Sequence, residues 1–280
     1  MNVLVCVKRV PQTGGRIVLT SDGQAIDTRF LGFTISPHEE CGVEEAVRIV
    51  ERDGGSSAVL TLGPAEAEDQ LRDAMALGID RAILLETDGR EWDPVSTAAA
   101  IAEVIESQEA ANGPFDLIVF GNEAADTGDF QVGVRVAWAL GRPIVNGVKG
   151  LAFRDGVAVA RRESPAGGWE TYELPLPAIV GVKEGLNLPR YPSVPGRLRA
   201  RRKEVERVQL GGSPAGALGL GAGEDAAMVD EGEERVIPGP TTHLLRLPAE
   251  EHTAAEVIGR GPEAAAAVVD LLEKIGVVGR

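Results

Sequence analysis

Short apolar runs alternate with helix-period segments through the first two thirds of this chain, and that alternation restricts its fold most strongly. The runs VLVCV, AVLTL, RAILLE and DLIVFG begin at residues 3, 58, 81 and 116. Uninterrupted apolar runs of this length are typical of strands buried on both faces. Between them, apolar residues recur at three- and four-residue spacing, as at Val43, Ala46, Val47 and Val50. Strands alternating with helices predict an α/β fold with a doubly wound, mostly parallel sheet.

Helix start signals agree with this prediction. Ser36 precedes a proline, and Glu39 stands at the capping-box position three residues later. The dipeptides GP at 63–64 and DP at 93–94 are similar starts for two further helices. A fourth helix is expected in the stretch ADTGDFQVGVRVAWAL, with Asp126 as its N-cap.

The pattern changes after residue 149. GLAFRDGVAVARRES and GGWETYELPLPAIVGV indicate strands around turns, one of them at Asp155-Gly156, so we expect an antiparallel extension of the sheet. A glycine-rich stretch without periodicity follows, and then a helix between Pro262 and Gly276. We therefore divide the chain into an α/β domain (1–185), a basic loop (186–204), and an extended C-terminal arm with a terminal helix (205–280).

Composition argues against several classes of function. The formal net charge of -15 opposes general nucleic-acid binding, because phosphate neutralisation needs a basic surface. No apolar run is long enough for a membrane span, and the N-terminus lacks a signal-peptide pattern. Two cysteines and three histidines have neither disulfide-framework nor metal-ligand spacing. We therefore expect a cytoplasmic protein without a metal site.

The expected ligand site lies outside the carboxyl ends of the parallel strands. Segments 6–9, 36–39, 62–64 and 122–133 should converge there. The last follows a strand and opens a helix, so its N–H groups near residues 127–131 could bind a phosphate; an ordinary strand–helix turn explains it equally well. The GxGxxG fingerprint, the P-loop, GxSxG and HExxH are all missing. A nucleotide-binding body without catalytic residues favours a carrier or regulator over a hydrolase.

The stretch NLPRYPSVPGRLRARRKEVE is unusual in so acidic a chain. It holds six basic residues and no acid between Arg190 and Lys203, and Pro192 and Pro195 flank the small apolar Val194. A solvated basic loop or a nucleic-acid contact would be the simpler explanation. Prolines that bracket a lone apolar residue fit a pre-ordered docking anchor better.

Several of these stretches together resemble the beta subunit of electron-transfer flavoproteins. They are VLVCVKRVP, GVEEAVRI, LGPAEAEDQLRDAMALGIDRAILL, GNEAADTGDFQVG and LNLPRYPSVPGRLRARRKE, in the family's order, over residues 1 to about 205. The resemblance implies a heterodimer with an alpha subunit, which holds most of one FAD, and a structural AMP in the beta subunit. It also implies that electrons pass from acyl-CoA and related dehydrogenases to a quinone oxidoreductase.

The resemblance also implies roles for individual residues, none of them catalytic. By position, the AMP contacts would be Cys6, Ser36, Pro37, His38, Glu39, Leu62, Gly63, Asp126, Thr127, Gly128, Asp129, Phe130, Gln131, Val132 and Gly133. The basic loop would be a recognition loop whose tip, Val194, anchors in a pocket of the dehydrogenase. Its partner-binding residues would be Arg190, Tyr191, Val194, Arg197, Arg199, Arg201 and Lys203. The arm would dock on the alpha subunit.

Two alternatives stay open. Electron-bifurcating relatives hold a second FAD in place of AMP and carry DGDTAQVG-like loops, which the QVG at 131–133 resembles. The bulk of Phe130 leaves less room for a flavin, so the sequence favours AMP. A stand-alone adenine-nucleotide-binding stress protein would share the α/β body, but it would need neither the arm nor the basic loop.

Overall fold

The computed structural model describes residues 1–12, 14, 17–89, 91–210, 245–247 and 257–278. The strands are β1 (Asn2–Cys6), β2 (Val10–Pro11), β3 (Phe33–Thr34), β4 (Ser56–Gly63), β5 (Arg81–Glu86), β6 (Leu117–Gly121), β7 (Ile144–Arg154), β8 (Val157–Glu163), β9 (Trp169–Pro175), β10 (Ala178–Val182) and β11 (Glu206–Gln209). The helices are α1 (Pro37–Asp53), α2 (Glu68–Leu77), α3 (Pro94–Asn112), α4 (Val132–Ala139), α5 (Val194–Ala200) and α6 (Ala264–Lys274).

Nine of these strands form one sheet in the order β11-β5-β4-β1-β6-β10-β7-β8-β9. Every pairing from β11 to β7 is parallel, whereas β7–β8 and β8–β9 are antiparallel. The turn between β7 and β8 is the predicted one, with Asp155 and Gly156 both at positive φ. The predicted α/β class, with a mostly parallel sheet and an antiparallel extension, is therefore confirmed.

The sheet carries a hydrophobic core on each face. Val3 and Val5 of β1 pack with residues of α1 and α2, while Leu4 and Cys6 pack with residues of α3 and α4. Successive residues of a strand point to opposite faces, so an uninterrupted apolar run satisfies both cores. The sheet is doubly wound, as the sequence predicted.

Two of the predicted helix starts are confirmed in detail. Ser36 accepts a hydrogen bond from the backbone N–H of Glu39 at 3.2 Å, and the Glu39 carboxylate accepts one from the N–H of Ser36 at 2.8 Å. Asp93 caps α3 through the N–H groups of Val95 and Ser96. These contacts satisfy N–H groups that have no partner within a helix.

The predicted start of the fourth helix is wrong. Asp126 is not the N-cap of α4, which begins at Val132 without any side-chain cap. Gly128 and Phe130 both have positive φ, 64° and 56°, and that left-handed backbone interrupts a helix before it can form. The Asp126 carboxylate instead pairs with Lys8, at 2.8 Å from Nζ.

The expected loop and arm also differ from the structure near residue 200. α5 lies inside the predicted loop, because Ser193 caps it by accepting from the N–H of Gly196 and Pro195 suits its first turn. The arm does not start at Val205, which packs against the core, since β11 follows and pairs with the free edge of β5. Residues 211–244 and 248–256 of the expected arm lie outside the described residues.

The terminal helix is present as α6, and none of its residues is buried. Its docking on another subunit stays a prediction. In the described part of the chain, no helix combines the length and apolarity needed to cross a membrane.

Candidate functional site

The centre of the sheet contains a topological switch point. β1 and β6 lie side by side, with β4 and β5 beyond β1 and with β10 and β7 beyond β6. In open α/β sheets, ligands bind in the crevice outside the carboxyl ends of the strands at such a point. Residues that follow β1 and β6, together with the start of α1, border this crevice.

Glu39 joins two of the segments that the sequence predicted to converge, 6–9 and 36–39, and lies against the end of β6. Its buried carboxylate accepts hydrogen bonds from the N–H groups of Lys8 and Ser36, both at 2.8 Å. Gly121, at the end of β6, lies so close that a Cβ atom there would be 2.8 Å from Glu39 Cγ. Burial raises the pKa of Glu39 to about 7, although these hydrogen bonds lower it. The carboxyl therefore takes up a proton at a higher pH than an ordinary glutamate does.

Lys8 ties the loop after β6 to the end of β1. Its ammonium group lies 2.8 Å from Asp126 Oδ2 and 3.6 Å from Glu91 Oε1. Asp126 and Thr127 belong to a turn in that loop, and the N–H of Gly128 donates to the carbonyl of Ala124 at 2.9 Å. The N–H of Thr127 likewise donates to Asp126 Oδ1 at 2.9 Å, so two of the phosphate-binding N–H groups expected at residues 127–131 are already used.

The start of α4 presents N–H groups without a side-chain partner. Its first helical residues are Val132, Gly133 and Val134, and Gln131 makes no capping bond. Gly133 packs against Phe120 so closely that a Cβ atom would lie 3.2 Å from the ring. An uncapped helix start beside the end of β6 suits an anion, because its N–H groups and the helix dipole both favour negative charge.

Cys6 and His38 border the crevice with different properties. Cys6 ends β1, and burial raises the pKa of its thiol, so the side chain acts as an apolar packing group. His38 lies in the first turn of α1, where burial lowers the pKa of its imidazole. Its buried Nδ1 has no hydrogen-bond partner among the described residues. A buried polar atom of this kind is uncommon and leaves one position available to a ligand.

Leu62 and Gly63 lie at the carboxyl end of β4, next to β1. The carbonyl of Gly63 accepts a hydrogen bond from Thr87 N–H at 2.9 Å, which fixes the turn. Both residues thus lie at the edge where the sequence placed them.

Phe130 lines a groove between α3 and α4 of about 680 Å³. Its neighbours there include Val95, Val134 and Trp138, the last 88% exposed. Phe130 itself is half exposed. Because the Phe130 ring lines this groove, its size does not show how much room the crevice has for a ligand. The size argument for AMP over a second flavin therefore loses its support.

The basic loop predicted at residues 186–204, called the docking segment below, is held on α1 and α2. Arg190 donates to Glu44 and Glu51 at 2.9 and 2.7 Å, and these hydrogen bonds raise its pKa. Lys203 Nζ donates to the carbonyl of Ile79 at 2.8 Å. Both basic side chains were predicted to contact a partner protein; in this structure both bond to this chain, and the partner contact stays a prediction.

The outward surface of the docking segment is apolar at its tip and basic beyond. Tyr191 is 95% exposed and Val194 72%. Leu188 and Leu198, on either side of them in the sequence, are also exposed. Sequence reasoning missed both. The apolar positions 188, 191, 194 and 198 follow one another at three- and four-residue spacing, which could have indicated a common face. Further along, the exposed basic side chains are those of Arg197, Arg199, Arg201 and Arg202. Of these, Arg197 pairs with Asp73 at 3.4 Å.

The described residues contain no group of His, Cys, Asp or Glu side chains that could hold a metal ion. Two regions thus stand out in the described residues. One is the crevice beside the uncapped start of α4, and the other is the separate, exposed docking segment.

Comparisons with known proteins agree with this arrangement. A family model described as the electron transfer flavoprotein domain matches residues 26–211. The chain is 36% identical to the electron transfer flavoprotein subunit beta of Bacillus subtilis over 212 residues, 75% of this chain and 79% of the relative. It is 36% identical to that of Syntrophomonas wolfei over 206 residues, 73% and 78% of the two chains. The subunit of Mycobacterium tuberculosis is 32% identical over 215 residues, 75% and 79% of the two chains.

Proposed function

The chain belongs to the electron transfer flavoprotein family as a beta subunit, and we propose that it pairs with an alpha subunit as an electron carrier rather than an enzyme. The observation that carries this proposal is the family match over residues 26–211, which includes most of the α/β body and the docking segment, together with 36% identity to a beta subunit over 212 residues. Electrons would come from acyl-CoA and related dehydrogenases and leave to a quinone oxidoreductase. We propose the cytoplasm as its compartment.

FAD, held mainly by the alpha subunit, would supply the redox chemistry of the complex. The crevice of this chain would hold AMP, which takes no part in electron transfer. The uncapped start of α4 supports a phosphate there, and the free Nδ1 of His38 supports a polar contact. Asp126 does not oppose an anion strongly, because Lys8 already balances its charge.

The nucleotide content of the purified complex tests this assignment. Denaturing the two-subunit complex should release one AMP and one FAD, which chromatography separates and quantifies. Two FAD and no AMP would support the electron-bifurcating alternative. A colourless homodimer without flavin would favour the stress-protein alternative and overturn the proposal.

The docking segment would bind the dehydrogenase through its apolar tip. A carrier must bind briefly and leave, so a few exposed apolar side chains suit it better than a large apolar interface. The arginines beyond the tip would increase the rate of encounter with an acidic surface.

The chain beyond β11 would contact the alpha subunit. The unburied α6 supports this proposal, because its apolar residues find no core among the described residues of this chain. Truncation after Leu210 keeps β11 in the sheet and should preserve nucleotide binding while abolishing co-purification with the alpha subunit. A truncated chain that still pairs normally would contradict this role for the arm.

A further inference from the structure

Glu44 is a buried, charged residue that belongs neither to the crevice nor to the tip of the docking segment, so the roles proposed for them do not explain it. It lies on α1 with only 1% of its surface exposed. Its carboxylate accepts hydrogen bonds from Arg48 Nε at 2.5 Å, Arg190 Nε at 2.9 Å and the backbone N–H of Arg190 at 3.1 Å. Burial raises the pKa of Glu44, but these bonds outweigh it and the pKa is lowered. Such an arrangement stays ionised and paired at neutral pH.

The two arginines extend this contact to the backbone of the docking segment. Arg48 donates to the carbonyl of Leu188 at 3.1 Å, and Arg190 also donates to Glu51 at 2.7 Å. We call Glu44, Arg48 and Arg190 the Glu44 cluster.

Asn187 adds a second attachment beside the Glu44 cluster. Its side-chain amide donates to the carbonyl of Cys41 at 3.0 Å and to Glu45 at 2.9 Å. The contacting residues of α1 recur every three or four positions, so they form one stripe along the helix: Cys41, Glu44, Glu45, Arg48 and Glu51. Three of the four residues from 187 to 190 are thus bonded to a single rigid helix.

This attachment explains why large apolar side chains remain in water. Leu188 is 84% exposed and Tyr191 95% exposed, although both could cover apolar surface if the backbone were free to fold back. With the backbone held from Asn187 to Arg190, the side chains of Leu188 and Tyr191 stay exposed, as that of Val194 does.

We infer that Glu44 is a positioning residue, which acts through Arg48 and Arg190 to hold residues 187–191 in the conformation that a partner protein binds. The inference rests on the proposed docking function of residues 186–204. Glu44 lies five residues from Glu39 at the crevice, about 7.5 Å along the axis of α1, and its hydrogen bonds go to residues 48 and 190 and not to the crevice. Its loss should therefore change docking without changing the crevice.

The test uses the purified two-subunit complex as electron acceptor for an acyl-CoA dehydrogenase. Glu44→Gln should raise the KM for the complex about fivefold with kcat unchanged, because the released turn must be ordered again at each encounter. Arg190→Lys should give a smaller increase, because lysine keeps the charge but not the forked hydrogen bonds. Amide hydrogen exchange over residues 186–192 should accelerate in both variants.

A matched control is Arg154→Gln, which breaks an exposed ion pair with Glu173 on the antiparallel strands and should leave KM and kcat unchanged. Val194→Asp is measured in parallel as a direct test of docking. If it raises KM and Glu44→Gln does not, docking stands and the positioning role of Glu44 is wrong. If neither changes KM, the docking function itself has failed. A fall in kcat or loss of flavin in Glu44→Gln would also overturn the inference, because it would show a general role in folding.

Discussion

Two buried glutamates of α1, one at the crevice and one under the docking segment, have opposite surroundings. Glu39 accepts hydrogen bonds from two backbone N–H groups, and burial raises its pKa to about 7. Glu44 accepts hydrogen bonds from the guanidinium groups of Arg48 and Arg190, and its pKa is lowered although burial alone would raise it. The same residue type, five positions apart on one helix, therefore has a raised pKa in one place and a lowered pKa in the other.

This difference fits the role proposed for each region. A fully ionised carboxylate at the crevice would repel a phosphate, whereas a carboxyl with a raised pKa does so less. The docking segment needs a fixed geometry instead, and an ionised carboxylate holds two arginines more strongly than a neutral acid could. Four experiments test this difference between the two regions, and the first should give the greatest change.

The pH dependence of stability should differ between the two glutamates. The pKa of Glu39 is raised on folding from 4.5 to about 7, so its contribution is complete below pH 4.5 and is lost as pH rises through 7. Relative to Glu39→Gln, the parent should lose about 3 kcal/mol of unfolding free energy across this range. Urea unfolding at a series of pH values measures the difference.

Glu44→Gln is the matched control, and its sign should be opposite. The pKa of Glu44 is lowered on folding, so its contribution is present above 4.5 and is lost as pH falls through the folded value. Parallel pH curves for the two variants would contradict the contrast between the sites.

Replacement of Gly128 should disturb the crevice alone. Gly128 has φ of 64°, and a Cβ atom there would meet no heavy atom within 4 Å, so only backbone strain opposes a side chain. Gly128→Val should cost about 1–2 kcal/mol and lower the AMP retained per flavin. Gly128→Asn is the control, because asparagine tolerates this conformation. Stoichiometric AMP in both variants would mean that the crevice is not the nucleotide site.

Shortening Val194 should act on the docking segment alone. Val194→Ala removes two methyl-sized groups and should weaken docking by about 1–2 kcal/mol, at roughly 0.8 kcal/mol per group. The loss should appear mainly as faster dissociation from the dehydrogenase, measured by stopped-flow electron transfer. Val95→Ala, at another partly exposed valine on α3, should not change dissociation. An unchanged rate in Val194→Ala would remove this residue from the interface.

Neutralising the outer arginines should have the smallest effect. Glutamine at Arg199 and Arg201 should slow association severalfold at low salt and flatten its salt dependence, because these charges act at long range. Arg197→Gln should change less, since Asp73 already balances that side chain. A flavin spectrum that changes in either variant would show that the segment lies near the cofactor instead.

Much of the fold could be predicted, because many strands, helix starts and turns are set by residues that are close together in the sequence. The run RAILLE coincides with β5 from Arg81 to Glu86. Ser36 and Glu39 form a capping box across three residues, and Asp155-Gly156 makes a two-residue turn. The start of α4 was missed because the left-handed backbone at Phe130 has no local sequence signal, phenylalanine being an uncommon residue there.

The central strands, most helices and the mostly parallel character of the sheet could be read from the sequence, whereas β11 and the order of the strands could not. The sequence also showed the concentration of basic residues between Arg190 and Lys203. Each feature that could be read follows from spacing within a few residues, which the chain displays directly.

The tertiary structure was needed to tell which of those basic residues bond within this chain and which stay exposed. Arg190 turns inward to Glu44, 146 positions away in the chain, while Arg199 stays exposed, and nothing in their local sequence separates them. Contacts over such separations depend on how α1 and the docking segment pack. The burial that raises the pKa of Glu39 and the arginines that lower the pKa of Glu44 exist only once the chain has folded.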